Sequence, residues 1–208
     1  MFEYFNYHKE KGRIFNNAMK AYSFDYEDLI NLYDFSDTKI IMDVGGGSGS
    51  LLEKILSQNS QIKKGILFEL SSTIENAKKT NFKKLIREKI EFISGNFFNE
   101  LPIRADTIII SRILHDRDDG KCTKILTNIH RALEENGKLI ILEIVVPDNP
   151  KYDIGVTLNF NLLVNVGGKE RNILEFETLL QKVGFKIISL KNGKRVISLI
   201  IAQKITKE

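Results

Sequence analysis

One histidine and two glutamates stand where a chain can do acid–base chemistry. His115 follows the apolar run Ala105-Asp106-Thr107-Ile108-Ile109-Ile110-Ser111. That run reads as a β-strand, so His115 falls at the carboxyl end of a strand, where ligands bind in parallel sheets. Glu143 interrupts a second apolar run, Ile140-Ile141-Leu142-Glu143-Ile144-Val145-Val146, and a carboxylate in such a strand is costly unless it is paired. Glu170 follows Gly167-Gly168-Lys169 in a loop-like stretch. One histidine with two glutamates at strand or loop ends suits a general base steered by carboxylates. The other histidines read as structural: His8 lies in a polar stretch and His130 on a helix beside Arg131. The single cysteine, Cys122, permits no internal disulfide and no cysteine-based metal site. It reads as a small apolar packing residue.

A second constellation is the turn Asp43-Val44-Gly45-Gly46-Gly47-Ser48-Gly49. Gly45, Gly47 and Gly49 allow positive φ and a close approach of ligand to backbone, and the helix that follows offers free N–H groups to an anionic group. A nucleotide pyrophosphate or an amino-acid carboxylate suits such a turn. The dinucleotide fingerprint asks for a third glycine at position 50, which is Ser50. Glu69 ends the next apolar run about twenty residues later, where a carboxylate can bind both ribose hydroxyls.

The elements that must carry these groups alternate. Strands are expected at Lys39–Val44, Gly65–Leu70, Lys89–Ser94, Ala105–Ser111 and Lys138–Val146, with helices from Leu51, from Ser72 to Thr80 and from about Asp118 to Glu135. Near-continuous apolar strands imply a parallel sheet covered on both faces, hence a doubly wound α/β fold. After Pro150 the rhythm changes: helices are expected at Ile154–Val164 and Ile173–Val183, then strands at Lys186–Leu190 and Val196–Ala202 around Asn192-Gly193, a strong hairpin signal. A terminal antiparallel hairpin argues against a plain dinucleotide-binding fold. The organisation expected is a helical segment over 1–38 packed on a domain over 39–208.

The glycine pattern resembles the first motif of class I methyltransferases, whose sheet is Rossmann-like and ends in such a hairpin. The resemblance narrows with His115-Asp116, Glu143 and Gly167-Gly168-Lys169-Glu170-Arg171. These look like the signatures of small-molecule O-methyltransferases, the family of caffeate, isoflavone and acetylserotonin O-methyltransferases. Phe15-Asn16-Asn17-Ala18-Met19 and Leu158-Asn159-Phe160-Asn161-Leu162-Leu163 extend the likeness over nearly the whole chain. The resemblance implies transfer of a methyl group from S-adenosylmethionine to a hydroxyl of a small aromatic acceptor, with S-adenosylhomocysteine as product and no metal. It implies that His115 takes the hydroxyl proton while Glu143 and Glu170 orient the imidazole. By the same resemblance Asp43, Gly45, Gly47, Gly49, Glu69, Asn96, Phe97, Ser111 and Arg112 hold the cofactor. Phe15, Met19, Tyr22, Asp116, Phe160, Asn161 and Asn165 would line the acceptor pocket.

Three departures from the family pattern stand out. Asn96 occupies the place of an Asp that binds the adenine amino group; its amide oxygen still accepts that bond. Arg117 replaces a Trp beside the histidine, removing an aromatic wall. No counterpart of the family's N-terminal winged-helix dimerisation domain is expected, so a homodimer would need another interface, and a catalytically silent cofactor-binding protein is the competing expectation. Composition excludes other classes. At 208 residues, 42% hydrophobic and 28% charged, the chain has the make-up of a globular domain. No apolar run is long enough for a membrane span and no signal pattern opens the chain, so a cytoplasmic setting is expected. The net charge of +4 is interleaved with acids, as in Lys83-Lys84-Leu85-Ile86-Arg87-Glu88-Lys89, which reads as a solvated face rather than a nucleic-acid surface. Neither an Asn-Pro-Pro-Tyr amino-methylation motif nor a Pro-Cys nucleophile occurs.

Overall fold

Apolar runs flanked by amphipathic helices can bury both faces only by forming the middle layer of a three-layer stack, and that is the arrangement seen. The computed structural model describes residues 8, 10–11, 14, 27–147, 162, 167–194 and 196–205. In chain order the elements are α1 (Glu27–Ile30), β1 (Ile40–Val44), α2 (Ser50–Gln58), β2 (Lys64–Glu69), α3 (Ser71–Ala77), α4 (Lys84–Arg87), β3 (Ile90–Ser94) and β4 (Ala105–Ser111). A 3₁₀ turn (Leu114–Asp116) precedes α5 (Asp119–Ala132), β5 (Leu133–Ile144), α6 (Ile173–Gln181), β6 (Phe185–Asn192) and β7 (Ile197–Lys204). The sheet order is β3-β2-β1-β4-β5-β7-β6. Neighbours from β3 through β5 are parallel, and β7 runs antiparallel to both β5 and β6.

Alternation along the strands divides the core in two. Ile41, Leu67, Ile109 and Ile140 pack with Leu52 and Ile55 of α2 and Ile74 of α3. Met42, Ile66, Ile108 and Ile141 pack on the other face with Ile125 and Leu126 of α5 and Leu180 of α6. Leu29, Ile30 and Phe35 join the first cluster. The helices α5 and α6 begin on side-chain caps that occupy otherwise unpaired N–H groups. Asp118 accepts from the Lys121 N–H ahead of α5, and Asn172 and Glu175 form a reciprocal capping box at α6.

The expected doubly wound fold and its terminal antiparallel pair are present, with differences in detail. The strand β5 starts at Leu133, earlier than its apolar run, because Leu133 already pairs with Ala105 across an irregularity in β4. Asn192-Gly193 ends a strand but does not make a two-residue turn: the ladder resumes at Asn192–Ser198, and Gly193 N–H donates to Ile197 O. His115 stands beyond the end of β4 in the 3₁₀ turn, after Arg112 has taken φ 53°. The helix expected at Ile154–Val164 lies outside the described residues except for position 162, and so does most of the expected 1–38 segment. Among the described residues no helix is long and apolar enough to cross a membrane.

Candidate active site

The chain leaves β1 toward β2 and β3 and later returns to place β4 on the opposite side of β1. The carboxyl ends of β1 and β4 therefore border the crevice where the winding reverses, the usual ligand site of such sheets. From β1 comes the glycine turn. Gly45, Gly47 and Gly49 have φ of 72°, 56° and 80°, a region that side chains with Cβ rarely adopt. A Cβ on Gly47 would meet nothing within 4 Å, so its face is open to a ligand, whereas one on Gly45 would strike Ile113 Cδ1 at 2.8 Å. Gly49 precedes α2 without any side-chain cap, which leaves the helix N-terminus to a ligand.

Beneath this turn Asp43 is 1% exposed. Both of its carboxylate oxygens lack a hydrogen-bond partner among the described residues. Burial, with the nearby Glu69 adding to it, pushes its carboxyl up to about 7. Buried polar atoms are rarely left unmatched, and a ligand in the crevice would supply the match. Glu69 ends β2, where burial also raises its carboxyl although the Leu70 and Gly47 N–H groups oppose the shift. Phe97 packs beside the glycine turn, its ring 5.1 Å from that of Phe98. Asn96 is exposed, and its Oδ1 accepts the Phe98 N–H at 3.0 Å. Ser111 Oγ is buried without a partner among the described residues, and Arg112, in the left-handed region, donates its N–H to Leu142 O. Such a conformation stores about 1–3 kcal/mol and gathers at functional sites. Arg117 sets its guanidinium 6.0 Å from the Phe98 ring centre.

The histidine and its two acids meet at the end of β4. His115 is 6% exposed, Glu143 0% and Glu170 4%. Glu170 Oε1 lies 3.2 Å from His115 Nδ1 and Glu143 Oε2 lies 3.6 Å from the same nitrogen, so only the former is within hydrogen-bond reach. The two acids divide the work. Glu143 reaches from β5 across to the neighbouring turn, where its Oε1 accepts the N–H groups of Ile113 at 2.9 Å, Leu114 at 2.9 Å and His115 at 3.4 Å. It holds the backbone of the turn, while Glu170 holds the ring. On the other edge of the ring, Nε2 has Asp116 Oδ1 at 3.5 Å. Burial works against the charged imidazolium, but the carboxylates of Glu143 and Glu170 outweigh it, so His115 titrates above the ordinary histidine range. Burial likewise raises the Glu143 carboxyl, with Glu170 adding to the shift and His115 opposing it. The ligand atoms of the trio lie within 4.8 Å of one another; hydrogen bonds to the ring and to the backbone account for that convergence.

Sequence reasoning missed how this turn is clamped. Arg171 is 0% exposed, and nothing but its adjacency to Glu170 marked it. Gly168 has no room for a side chain, since a Cβ there would run into the His115 carbonyl oxygen. Cys122 is buried, as expected, and also donates to Leu114 O at 3.3 Å. His130 packs edge-on against Phe185. Six residues expected to line the acceptor pocket, Phe15, Met19, Tyr22, Phe160, Asn161 and Asn165, lie outside the described residues.

Comparison with known proteins gives this geometry relatives. A phenazine O-methyltransferase of Lysobacter antibioticus is 34% identical over 206 residues, covering 97% of this chain and 60% of the relative. A caffeic acid 3-O-methyltransferase of Zinnia elegans is 34% identical over 192 residues, covering 89% and 52%. The crystal structure of human N-acetylserotonin methyltransferase in complex with S-adenosylmethionine superimposes with a TM-score of 0.84 at 27% identity, covering 92% of this chain and 55% of that one. The chain thus spans little more than half the length of these relatives. The family model for the O-methyltransferase domain matches residues 1–186. With the seven-stranded sheet and the relatives agreeing, the chain belongs to the O-methyltransferase domain family.

Proposed function

We propose that the chain transfers the methyl group of S-adenosylmethionine to a hydroxyl of a small aromatic acceptor, with His115 as general base. The observation that carries this reading is the orientation of the imidazole: Nδ1 faces the Glu170 carboxylate at 3.2 Å. A carboxylate at Nδ1 keeps the proton on that nitrogen and leaves Nε2 as the acceptor. When bound, S-adenosylmethionine supplies an electrophilic sulfonium methyl and departs as S-adenosylhomocysteine. The chain's own part is to hold and to deprotonate. Asp43, Gly45, Gly47, Gly49 and Glu69 would hold the amino acid and ribose. Asn96, Phe97, Ser111 and Arg112 would border the adenosine, and Asp116 would stand at the acceptor. The orphaned oxygens of Asp43 and Ser111 and the open face of Gly47 suit that group.

A phenol ionises at about 10, so at neutral pH its oxygen is a poor nucleophile until a base accepts the proton. His115 Nε2 takes it, and the imidazolium formed is neutralised by Glu143 and Glu170 in a site shielded from water. Proton transfer to a placed base is worth about 10²–10⁴-fold, and placing the oxygen against the methyl supplies much of the rest. The relatives named for phenazine and caffeic acid support an aromatic acceptor. One buried free cysteine suits a reducing, cytoplasmic setting, and interleaved charges suit a small-molecule acceptor better than nucleic acid.

The test is calorimetric titration of the chain with S-adenosylmethionine, followed by a methyl-transfer screen on caffeic acid, other phenols and hydroxylated phenazines. The expected outcome is one cofactor per chain and turnover of at least one phenolic acceptor. Binding without turnover on any of them would identify a silent cofactor-binding protein instead.

A further inference from the structure

Arg171 is a charged side chain with no exposure at all, and its five donors are spent in one place. Nε and Nη2 fork onto Asp119 Oδ1 at 3.0 and 2.7 Å. Nη1 donates to Leu114 O at 3.0 Å and to Lys169 O at 3.4 Å, and Nη2 donates to Arg117 O at 2.8 Å. Leu114 and Arg117 bracket the turn that carries His115. Asp119 opens α5. The backbone of Arg171 follows Glu170 directly and pairs with Val145, and its carbonyl accepts the Val146 N–H at 3.0 Å, just past Glu143. Arg171 therefore ties together the three separate segments that deliver His115, Glu143 and Glu170: its guanidinium grips the His115 turn, and its backbone follows Glu170 and pairs with the chain just past Glu143.

We propose that Arg171, braced by Asp119, is a positioning residue that keeps the His115 imidazole against its two carboxylates. The inference rests on His115 serving as the base. A guanidinium presents a rigid planar fork with five N–H donors, which a lysine cannot reproduce. Burying a charge is costly unless it is paired and fully hydrogen-bonded. Plain packing at this position would be served by an apolar side chain, whereas the fork holds two peptide carbonyls of the turn and the first residue of α5 in fixed relation. Lys169 adds to the brace by placing Nζ 3.4 Å from Asp119 Oδ2 and 2.8 Å from Glu175 Oε1. Gly168 lets the loop lie against the His115 carbonyl.

Loosening the clamp should let the ring drift from Glu170 and Glu143. The charged groups acting on the imidazole are Arg112 and Asp116 on its own segment, Glu143 on β5 and Glu170 on the loop. Losing the last two removes the larger causes that raise its titration and leaves Asp116 alone against burial and Arg112, so the acidic limb of the rate profile should move to lower pH.

Two variants test this in the full chain: Arg171→Lys, and Asp119→Asn, whose side chain is 59% exposed and therefore tolerant of change. The expected result for each is a fall in kcat of tenfold or more, S-adenosylmethionine affinity within threefold of wild type, and an acidic limb at least half a pH unit lower. If Arg171→Lys does not fold, Asp119→Asn carries the comparison. A pH profile identical to wild type, or a kcat that falls only in step with melting temperature and cofactor affinity, would overturn the positioning role. The His115 imidazole is also followed by NMR titration, assigned among three histidines with a His115→Gln sample. This readout needs no turnover. If the wild-type chain methylates none of the acceptors, the base reading fails by itself, while a displaced His115 titration in the variants still upholds the clamp and an unmoved one overturns it.

Discussion

Glu143 shows how one side chain can act on both structure and chemistry. It has no exposure, yet one oxygen takes three backbone N–H groups and the other faces the imidazole. Because it and Glu170 raise His115, kcat should climb with pH through a midpoint above the ordinary histidine value of about 6.5; below that midpoint the imidazolium has no site for the acceptor proton. Glu143→Gln removes one of the raising charges, so its limb should lie at lower pH and its plateau rate should be at least tenfold lower. A limb that stays in place would detach Glu143 from the ring. Asp43 gives the opposite kind of dependence. Its carboxyl is raised to about 7, so the folded chain without cofactor favours the protonated form. That stability is present below the unfolded value of about 3.9 and is lost as pH rises through 7. Asp43→Asn should raise the melting temperature of the cofactor-free chain at pH 8 and change it little at pH 4, while weakening S-adenosylmethionine binding at least tenfold. Thermal melts at both pH values and calorimetry check this pair of outcomes.

At the scale of elements the site depends on three loops meeting at strand ends, and Gly168 is the tightest contact among them. Gly168→Ala must push the His115 carbonyl aside, so kcat should fall at least a hundredfold with cofactor affinity nearly kept, because the glycine turn belongs to other strands. A wild-type kcat in that variant would show that the turn can yield. In the core, Ile141→Ala removes a fully buried side chain from the central part of β5 and should cost about 2–5 kcal/mol in denaturant unfolding. The sheet was legible in the sequence because parallel strands buried on both faces leave apolar runs such as Ile108-Ile109-Ile110 and Leu139-Ile140-Ile141-Leu142. Glu143 and the glycine turn were legible because each breaks such a run. The clamp was not. Arg171 reaches Asp119 across 52 residues of chain, and no periodicity records a contact between a loop and a helix start. The 3₁₀ turn was hidden for a related reason: it exists because Glu143 collects its N–H groups, a tertiary cause without a local pattern.

The residues proposed to hold the cofactor, Asp43 to Arg112, stand at or just beyond the ends of strands within one sheet. The proposal asks these ends alone to hold the cofactor, in a chain that spans little more than half the length of its relatives. Saturating S-adenosylmethionine at about a hundred times its Kd should add about 2.7 kcal/mol, or a rise of about 5–10 °C in melting temperature for a domain of this size; an unchanged melt would deny the chain its cofactor. The central claim is that His115 removes the acceptor proton, and the most direct measurement compares His115→Gln with wild type in single-turnover methyl transfer alongside cofactor titration. A loss of about 10²–10⁴-fold in the transfer rate, with S-adenosylmethionine affinity within threefold, is the predicted result. Transfer by His115→Gln near the wild-type rate would contradict it.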